Sequence, residues 1–188
     1  MAASLDEQKR ALRSAVRARM PKAGSPELLA ASVAAQERLL AQVLAGDAQV
    51  IALYRALAAE CGTASAAARL QAAGREVCYP VVVPGDRALQ FRRGVGAFVA
   101  GALGVEEPTG APVPLGAIEL MVVPALAVDA KGRRLGRGRG HYDATLQAYG
   151  GRTVALVLDS QLVPEVPVGE HDRRVHAICT ETRWIPVA

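Results

Sequence analysis

Short apolar segments of strand type alternate with helical segments along almost the whole of this chain. The clearest strand candidates are residues 50–54, 76–83, 89–92, 118–123, 153–158 and 177–180. Strands buried on both faces of a parallel sheet have continuous apolar runs of this kind. The alternation therefore predicts an α/β fold, a three-layer α/β/α arrangement with a mainly parallel central sheet. At 188 residues the chain suits a single domain, residues 1–188.

The helical segments have recognisable start and stop signals. Ser4 and Glu7 form a capping box, and Ser25 precedes a proline at a first helical position. Thr63 is the expected cap of a third helix, which Gly74 ends. Helices are predicted at about residues 5–19, 26–44, 64–73 and 142–149. The stretch 95–113 is predicted as a loop or short helix, 163–168 as a proline-rich loop, and 177–180 as the last strand.

Charge and cysteine content narrow the classes of function. A formal net charge of +4 fits an anionic small ligand and a nucleic acid equally well. Cys61, Cys78 and Cys179 are odd in number and lack CxxC spacing, which argues against a disulfide framework and a zinc site. Charges from Asp6 onwards argue against a signal peptide, and no apolar run reaches the roughly 18 residues of a spanning helix. We therefore expect a cytoplasmic protein with no membrane partner.

The most unusual stretch is the glycine–arginine segment, RRLGRGRGHYD at residues 133–143. Glycine at every second position lets the backbone turn tightly and bring its N–H groups close to an anion, and the start of the following helix adds a positive dipole. Arg133, Arg134, Arg137 and Arg139 are expected to surround this loop, so a phosphorylated ligand is predicted. A disordered segment that contacts RNA is the alternative, but ordered-looking segments flank it closely. An NAD site is rejected because the segment lacks the dinucleotide fingerprint and lies late in the chain.

The first predicted helix carries a basic face, because Lys9, Arg13 and Arg17 recur at a spacing of four residues. Such a face is usually solvated on a surface helix, and periodicity alone favours that interpretation. A cationic stripe could instead clamp a polyphosphate. Both interpretations remain open from the spacing.

Several segments together resemble the 5-formyltetrahydrofolate cyclo-ligase family, also called 5,10-methenyltetrahydrofolate synthetases. They are KRALR at residues 9–13, ECGT at 60–63, VPALAVD at 123–129 and RLGRGRGHYD at 134–143. Shorter similarities are YPV at 79–81, EP at 107–108 and TE at 180–181. They follow the order of the family and span nearly the whole chain, and the glycine–tyrosine–aspartate segment is the most specific of them.

The resemblance implies an enzyme that uses MgATP to convert 5-formyltetrahydrofolate into 5,10-methenyltetrahydrofolate, with release of ADP and phosphate. Phosphorylation of the formyl oxygen creates a leaving group, and the neighbouring N10 then attacks the formyl carbon. Such an enzyme must position two ligands and neutralise the charge on the transferring phosphoryl group. The implied partners are the folate and ATP, with Mg²⁺ as cofactor and no nucleic acid. We expect a monomer or a weak homodimer.

The resemblance also assigns binding residues. For ATP they are Lys9, Arg10, Arg13, Arg134, Leu135, Gly136, Arg137, Gly138, Arg139, Gly140, His141 and Tyr142. For the folate they are Leu57, Glu60, Arg137, Gly138, Arg139, Gly140 and His141, with Tyr79 and Phe91 as further apolar candidates or plain core. Arg134 would stand at the loop entrance, and the clamp interpretation gains weight for Lys9 and Arg13.

Glu60 would accept hydrogen bonds from the N–H donors of the pterin, because charge-assisted pairs add strength and orientation. The alternative is an exposed carboxylate just before Thr63. Asp143 would hold Mg²⁺, a hard cation that suits carboxylate and phosphate oxygens. Its alternative is a helix N-terminal carboxylate that interacts with the helix dipole.

The chain departs from the family pattern at two positions. His141 stands where an aromatic residue is usual, and His176 where a metal-associated aspartate is usual. Imidazole is a poor Mg²⁺ ligand, so the second ligand stays open: Asp172 or water could replace His176. These departures motivate one alternative, a cyclo-ligase-like paralogue with lost or altered substrate activity. RNA binding through the basic side chains ranks lower, because few aromatic residues could stack on bases.

Overall fold

The computed structural model describes residues 3–102, 104–169 and 172–187. Its helices are α1 (Leu5–Arg19), α2 (Pro26–Ala45), α3 (Ala64–Ala72) and α4 (His141–Ala148), with 3-10 turns at Leu115–Ala117 and Asp159–Gln161. Its strands are β1 (Val50–Ala52), β2 (Glu76–Val81), β3 (Gln90–Arg93), β4 (Phe98–Ala100), β5 (Glu106–Pro108), β6 (Pro112–Val113), β7 (Leu120–Val123), β8 (Ala127–Asp129), β9 (Arg134–Leu135), β10 (Arg152–Leu156), β11 (Leu162–Val163), β12 (Ala177–Cys179) and β13 (Trp184–Pro186).

A large sheet forms the centre of the protein. Its eight strands lie in the order β13-β12-β10-β7-β1-β2-β3-β6. The run from β12 to β2 is parallel throughout, and β13, β3 and β6 pair antiparallel with their neighbours. Helices cover both faces of this sheet. The prediction of an α/β fold with a mainly parallel central sheet is confirmed.

Alternate side chains of the parallel strands enter two separate cores, as the two-residue period of a strand requires. On β10, Val154 and Leu156 belong to the first core and Ala155 to the second. The first core is covered by α2 and α3, whereas the second contains Leu146 of α4. Both faces of the central strands are therefore buried, which explains their continuous apolar sequences.

A smaller sheet, in the order β11-β8-β9, packs against α1. The side chain of Val16 on α1 is fully buried there, next to Leu126 and Leu135. Asp129 at the end of β8 accepts hydrogen bonds from Val166 N at 2.9 Å and from Arg133 Nε at 2.6 Å. This packing holds α1 beside the segment that leads from β9 into α4.

The predicted helix signals agree with the structure in most details. The capping box of Ser4 and Glu7 is present, the Ser25 side chain caps α2, and Gly74 follows α3 with a φ of +78°. Thr63 is the N-cap residue of α3, as predicted, but its side chain makes no capping hydrogen bond. The Thr63 hydroxyl donates instead to the Tyr54 carbonyl at 2.6 Å, which ties the start of α3 to the end of β1.

One predicted connection is wrong, because the stretch 95–113 contains the antiparallel hairpin of β4 and β5 and also β6. The loop predicted at 163–168 is confirmed apart from Val163, which is the last residue of β11. The prediction that 177–180 is the last strand is also wrong, because β13 follows and pairs with β12. Strands of two or three residues are too short to show a two-residue period, so glycine and proline dominate the signal.

Within the described ranges, α2 is the one helix whose length and apolar composition would allow it to cross a membrane. Its side chains Leu28, Leu39 and Val43 are buried in the first core, the arrangement expected of a core helix. The cysteines are free and buried. Burial raises the pKa of the Cys61 thiol to about 11, so this group stays protonated and unreactive at neutral pH.

Candidate active site

A cleft opens at the carboxyl edge of the parallel strands. Tyr54, Val82 and Pro124, which follow β1, β2 and β7, contribute to its walls. Its empty volume is about 1010 Å³, including the open mouth. The chain places β2 on one side of β1 and β7 on the other, so the direction of winding reverses at β1. Open α/β sheets commonly bind their ligands at such a reversal.

The glycine loop, residues 136–140, forms one wall of the cleft. Gly138 and Gly140 have φ values of +108° and +76°, a region that favours glycine. Gly140 is the N-cap of α4 and has no side chain, so among the described residues no side chain caps the first N–H groups of this helix. A helix start of this kind favours a negatively charged group.

Arg134 and Asp143 form an ion pair beneath the loop. The Nη2 atom of Arg134 donates to Asp143 Oδ1, and the two side chains are 2% and 33% exposed. The guanidinium also lies 5.8 Å from the centre of the Tyr142 ring, and its Nε has no hydrogen-bond partner among the described residues. Arg134 is therefore almost fully buried, so it is not the exposed group expected at the loop entrance, although it contributes to the lining of the cleft. Asp143 is partly exposed and faces the cleft.

Glu60 and Arg137 join opposite walls of the cleft. Arg137 Nε lies 2.7 Å from Glu60 Oε1, and the other carboxylate oxygen accepts a hydrogen bond from Leu57 N at 2.9 Å. The Glu60 side chain is only 7% exposed, which excludes the alternative of an exposed carboxylate before Thr63. Leu57 also lines the cleft. The structure thus brings two predicted folate residues together with the glycine loop.

The basic face of α1 divides into two parts. Lys9 Nζ lies 2.6 Å from Asp172 Oδ2, and Arg13 Nε donates to the Gly136 carbonyl at 3.0 Å. Arg13 therefore contacts the glycine loop directly, and Lys9 lies one helical turn before it on α1. Arg10 and Arg17 are exposed, as a solvated face requires. The solvated-face interpretation fits Arg17, and the clamp interpretation stays a prediction for Lys9 and Arg13.

The remaining predicted loop residues take different positions. Arg139 is exposed at the cleft, whereas Leu135 is 2% exposed in the core around α1. Arg133 turns away from the loop and pairs with Asp129 and Glu165, so its expected place around the anion site is wrong. Tyr79 and Phe91 are core residues that do not line the cleft.

His141 and Tyr142 begin α4 and line the cleft. The Nδ1 atom of His141 lies 3.0 Å from the Arg87 carbonyl oxygen, which ties the helix start to the turn before β3. Tyr142 packs against both main cores, and burial raises its pKa. Its hydroxyl is therefore neutral at physiological pH.

Of the three acidic or imidazole groups predicted for the metal, Asp143 alone lines the cleft. Asp172 is bound to Lys9 Nζ and accepts a hydrogen bond from Gly169 N at 2.7 Å. His176 precedes β12 and bonds to Thr153 at the start of β10, so it lies at the amino edge of the sheet, opposite the cleft. This position removes His176 from the candidate ligands. No group of three or more potential metal-binding side chains occurs in the described residues. One carboxylate completed by phosphate oxygens and water fits Mg²⁺.

Sequence reasoning missed two charged residues of the cleft, Arg55 and Glu107. Arg55 pairs with Glu106 at 2.7 Å and stacks over the Phe98 ring at 4.9 Å. Glu107 lies on β5, in the hairpin that was predicted as a loop. The Glu-Pro pair at 107–108 was one of the shorter family similarities and was the one available signal for this residue.

Comparison with known proteins identifies the family. The 5-formyltetrahydrofolate cyclo-ligase family profile matches residues 5–181. The chain is 40% identical over 95 residues to the 5-formyltetrahydrofolate cyclo-ligase of Mycolicibacterium smegmatis, covering 48% of this chain and 49% of that protein. It is 39% identical over 72 residues to the mouse protein of the same name, covering 35% and 36%. The match thus spans about half the length of the first relative and about a third of the second.

A longer match and two solved structures extend this result. The chain is 30% identical over 145 residues to the Escherichia coli K12 5-formyltetrahydrofolate cyclo-ligase, covering 72% of this chain and 80% of that protein. The NMR structure of Aquifex aeolicus 5,10-methenyltetrahydrofolate synthetase has a TM-score of 0.78 at 23% identity, over 95% and 92% of the two chains. The Mycoplasma pneumoniae synthetase has a TM-score of 0.76 at 18% identity, over 92% and 98%. The two structures establish the shared fold, and with the family profile the conclusion is that this chain belongs to the 5-formyltetrahydrofolate cyclo-ligase family.

Proposed function

We infer that this protein is an ATP-dependent 5-formyltetrahydrofolate cyclo-ligase, which produces 5,10-methenyltetrahydrofolate, ADP and phosphate. The observation that carries this proposal is that residues suited to a polyphosphate and residues suited to a pterin line the same cleft. The glycine loop and the start of α4 suit a polyphosphate, and the buried Glu60 carboxylate suits the N–H donors of a pterin. Arg137 bridges them. The test is MgATP-dependent turnover of 5-formyltetrahydrofolate by the purified protein.

The residues around the loop have distinct proposed tasks in binding ATP. Arg13 is bonded to the Gly136 carbonyl of the loop, Lys9 lies one turn earlier on α1, and Arg139 is exposed at the cleft. These three cations are proposed to surround the phosphates. The free N–H groups at the start of α4 can donate to phosphate oxygens. A preorganised set of this kind stabilises charge on the transferring group without reorganisation.

The folate is proposed to enter the cleft with its formyl group towards the glycine loop. Glu60 would hold the pterin, and Leu57 contributes to the apolar wall. The formyl oxygen attacks the terminal phosphorus of ATP, and the bond from that phosphorus to the bridging oxygen of ADP breaks. N10 then attacks the activated formyl carbon, and the carbon–oxygen bond breaks as phosphate leaves with the electron pair. The N10 proton is lost, which completes the methenyl bridge.

Asp143 is proposed to hold Mg²⁺ with the phosphate oxygens. When bound, the ion would neutralise the charge on the phosphates and align them for transfer. Asp143 would exchange its contact with Arg134 for this role, and Arg134 would then be free to face the same charge. Asp172 remains a candidate second ligand, at the cost of its pair with Lys9.

We also propose a cytoplasmic location and a monomer or weak homodimer without a nucleic-acid or membrane partner. The ion pairs of the arginines with carboxylates support the proposal that the protein has no nucleic-acid partner. Arg133, Arg134 and Arg137 are each bound to a carboxylate, so the segment presents less free positive charge than its sequence suggests. A steep salt dependence of RNA binding would contradict it.

A paralogue with altered substrate activity is the second candidate, and His141 is the observation that favours it. An imidazole at the cleft, tied to Arg87, changes the shape and polarity of a position that is usually aromatic in the family. His176 gives this alternative less support than the sequence suggested, because it lies at the opposite edge of the sheet. ATP binding without folate turnover would favour the paralogue.

The glycine loop offers a prediction with a close internal control. Gly140 and Gly24 have φ values of +76° and +73°, and a Cβ at either would meet no atom within 4 Å. Alanine at either position should therefore cost about 1 kcal/mol through backbone strain alone. We expect only Gly140→Ala to weaken turnover, by about tenfold in kcat/KM for ATP, because it reorients phosphate-binding N–H groups. Thermal melting and steady-state kinetics measure both effects. Equal kinetics for the two variants would contradict the assignment of the loop.

A further inference from the structure

The hairpin of β4 and β5 brings a second carboxylate into the cleft. Glu107 on β5 is half-buried, and its Oε1 atom accepts a hydrogen bond from Val82 N at 3.2 Å, immediately beyond the end of β2. Both residues line the same cleft as Glu60. The hairpin therefore adds a polar group to the apolar wall formed by Pro80, Val82 and Leu89.

The Glu107 side chain is held in this position by the shape of the hairpin. A Cβ atom at position 101 would lie 2.5 Å from Glu107 Cγ, so glycine at 101 leaves the space that this side chain occupies. The neighbouring Glu106 points to the other side of the strand and pairs with Arg55. Two adjacent glutamates thus have different surroundings on the two faces of one strand.

Within the described residues, Glu107 differs from Glu60 in forming no ion pair. None of the ion pairs among the described residues includes Glu107, whereas Glu60 is paired with Arg137. The Val82 N–H occupies one oxygen, and Oε2 receives no hydrogen bond within that part of the chain. A half-buried carboxylate loses hydration, so its free energy falls when a ligand supplies N–H donors.

We propose that Glu107 is a second folate-binding carboxylate. It accepts a hydrogen bond from an N–H donor of the tetrahydropterin that does not bond to Glu60. This inference rests on the proposed cyclo-ligase function. The tetrahydropterin carries donors at its 2-amino group, at N3 and at N8, on more than one edge of the ring, so one carboxylate cannot accept from all of them. Glu60 already uses one oxygen for Leu57 N, and Glu107 lines the same cleft from the β4–β5 hairpin.

The test compares Glu107→Gln with Glu106→Gln, its neighbour on the opposite face of β5. Glu107→Gln should raise the Kd of 5-formyltetrahydrofolate, measured by calorimetry without ATP, by about tenfold or more, as loss of a charge-assisted hydrogen bond does. Its KM for folate should rise equally, with the KM for ATP within about twofold. Glu106→Gln should leave all three constants near those of the unmodified protein. Equal folate constants for Glu107→Gln and the unmodified protein would overturn the proposal.

Analogues that each lack one ring donor, at the 2-amino group, N3 or N8, identify the contact. Removal of the donor read by Glu107 should weaken binding to the unmodified protein but add little to the loss already caused by Glu107→Gln. Full additivity for all three analogues would overturn the proposal, and so would a changed Mg²⁺ requirement with unchanged folate binding. Failure of the proposed function is distinguishable, because the unmodified protein would then neither bind nor convert the folate.

Discussion

Replacement of Asp143 by alanine should reduce kcat by about a hundredfold or more and should also destabilise the protein. The kinetic loss follows from the proposed role of Asp143 in holding Mg²⁺ against the phosphates. The loss of stability follows from Arg134, whose side chain is 2% exposed and would keep a buried charge without its carboxylate. Because Asp143 is itself 33% exposed, we expect a cost of roughly 2 kcal/mol, or about 4–8 °C in Tm.

The asparagine variant separates the two roles. In Asp143→Asn the amide oxygen can still accept a hydrogen bond from Arg134, so much of the Tm should return. The amide is a weak ligand for a hard cation, so kcat should remain low. Recovery of both Tm and kcat in Asp143→Asn would restrict Asp143 to a structural role.

Glu60→Gln should affect the two substrates in opposite directions. Loss of the carboxylate should raise the KM for 5-formyltetrahydrofolate by about tenfold or more, because a buried charge-assisted contact to the ligand is lost. In the absence of folate the same change should strengthen ATP binding several-fold. The reason is that Arg137, which is 33% exposed, would lose its carboxylate partner 2.7 Å away and become available to a phosphate.

The control for Glu60→Gln is Glu165→Gln. Glu165 also pairs with an arginine of the glycine–arginine segment, Arg133, but its side chain is 72% exposed and lies outside the cleft. Removing this charge changes the net charge equally and should leave both affinities near those of the unmodified protein. Calorimetric titration with each ligand alone measures the effects. A larger loss of ATP than of folate affinity in Glu60→Gln would move Glu60 out of the folate pocket.

The effects expected of these substitutions depend on ion pairs that the sequence could not predict. The glycine spacing predicted a loop with special backbone conformations, and Gly138 and Gly140 do have positive φ values, which few other residues tolerate. The partner of each arginine was not predictable. Arg137 meets Glu60 across 77 positions of sequence, and this contact exists because the ends of β1 and β9 open onto the same cleft.

Sheet direction explains a second difference between prediction and structure. His176 was retained as a metal candidate from its place in a family segment, which contains no information on the edge of the sheet it occupies. The structure places it before a parallel strand, and the site lies beyond the opposite ends of such strands. The β4–β5 hairpin was missed for a local reason, since strands of three residues between glycines and prolines have no measurable period.

The proposed activity is tested most directly by the near-ultraviolet absorbance of the conjugated methenyl product. Purified protein is mixed with 5-formyltetrahydrofolate, with and without MgATP, and the Asp143→Asn variant is assayed in parallel. We predict product formation that requires MgATP and is nearly abolished in the variant. A folded, ATP-binding protein that forms no product would contradict the cyclo-ligase assignment and favour the paralogue with another substrate.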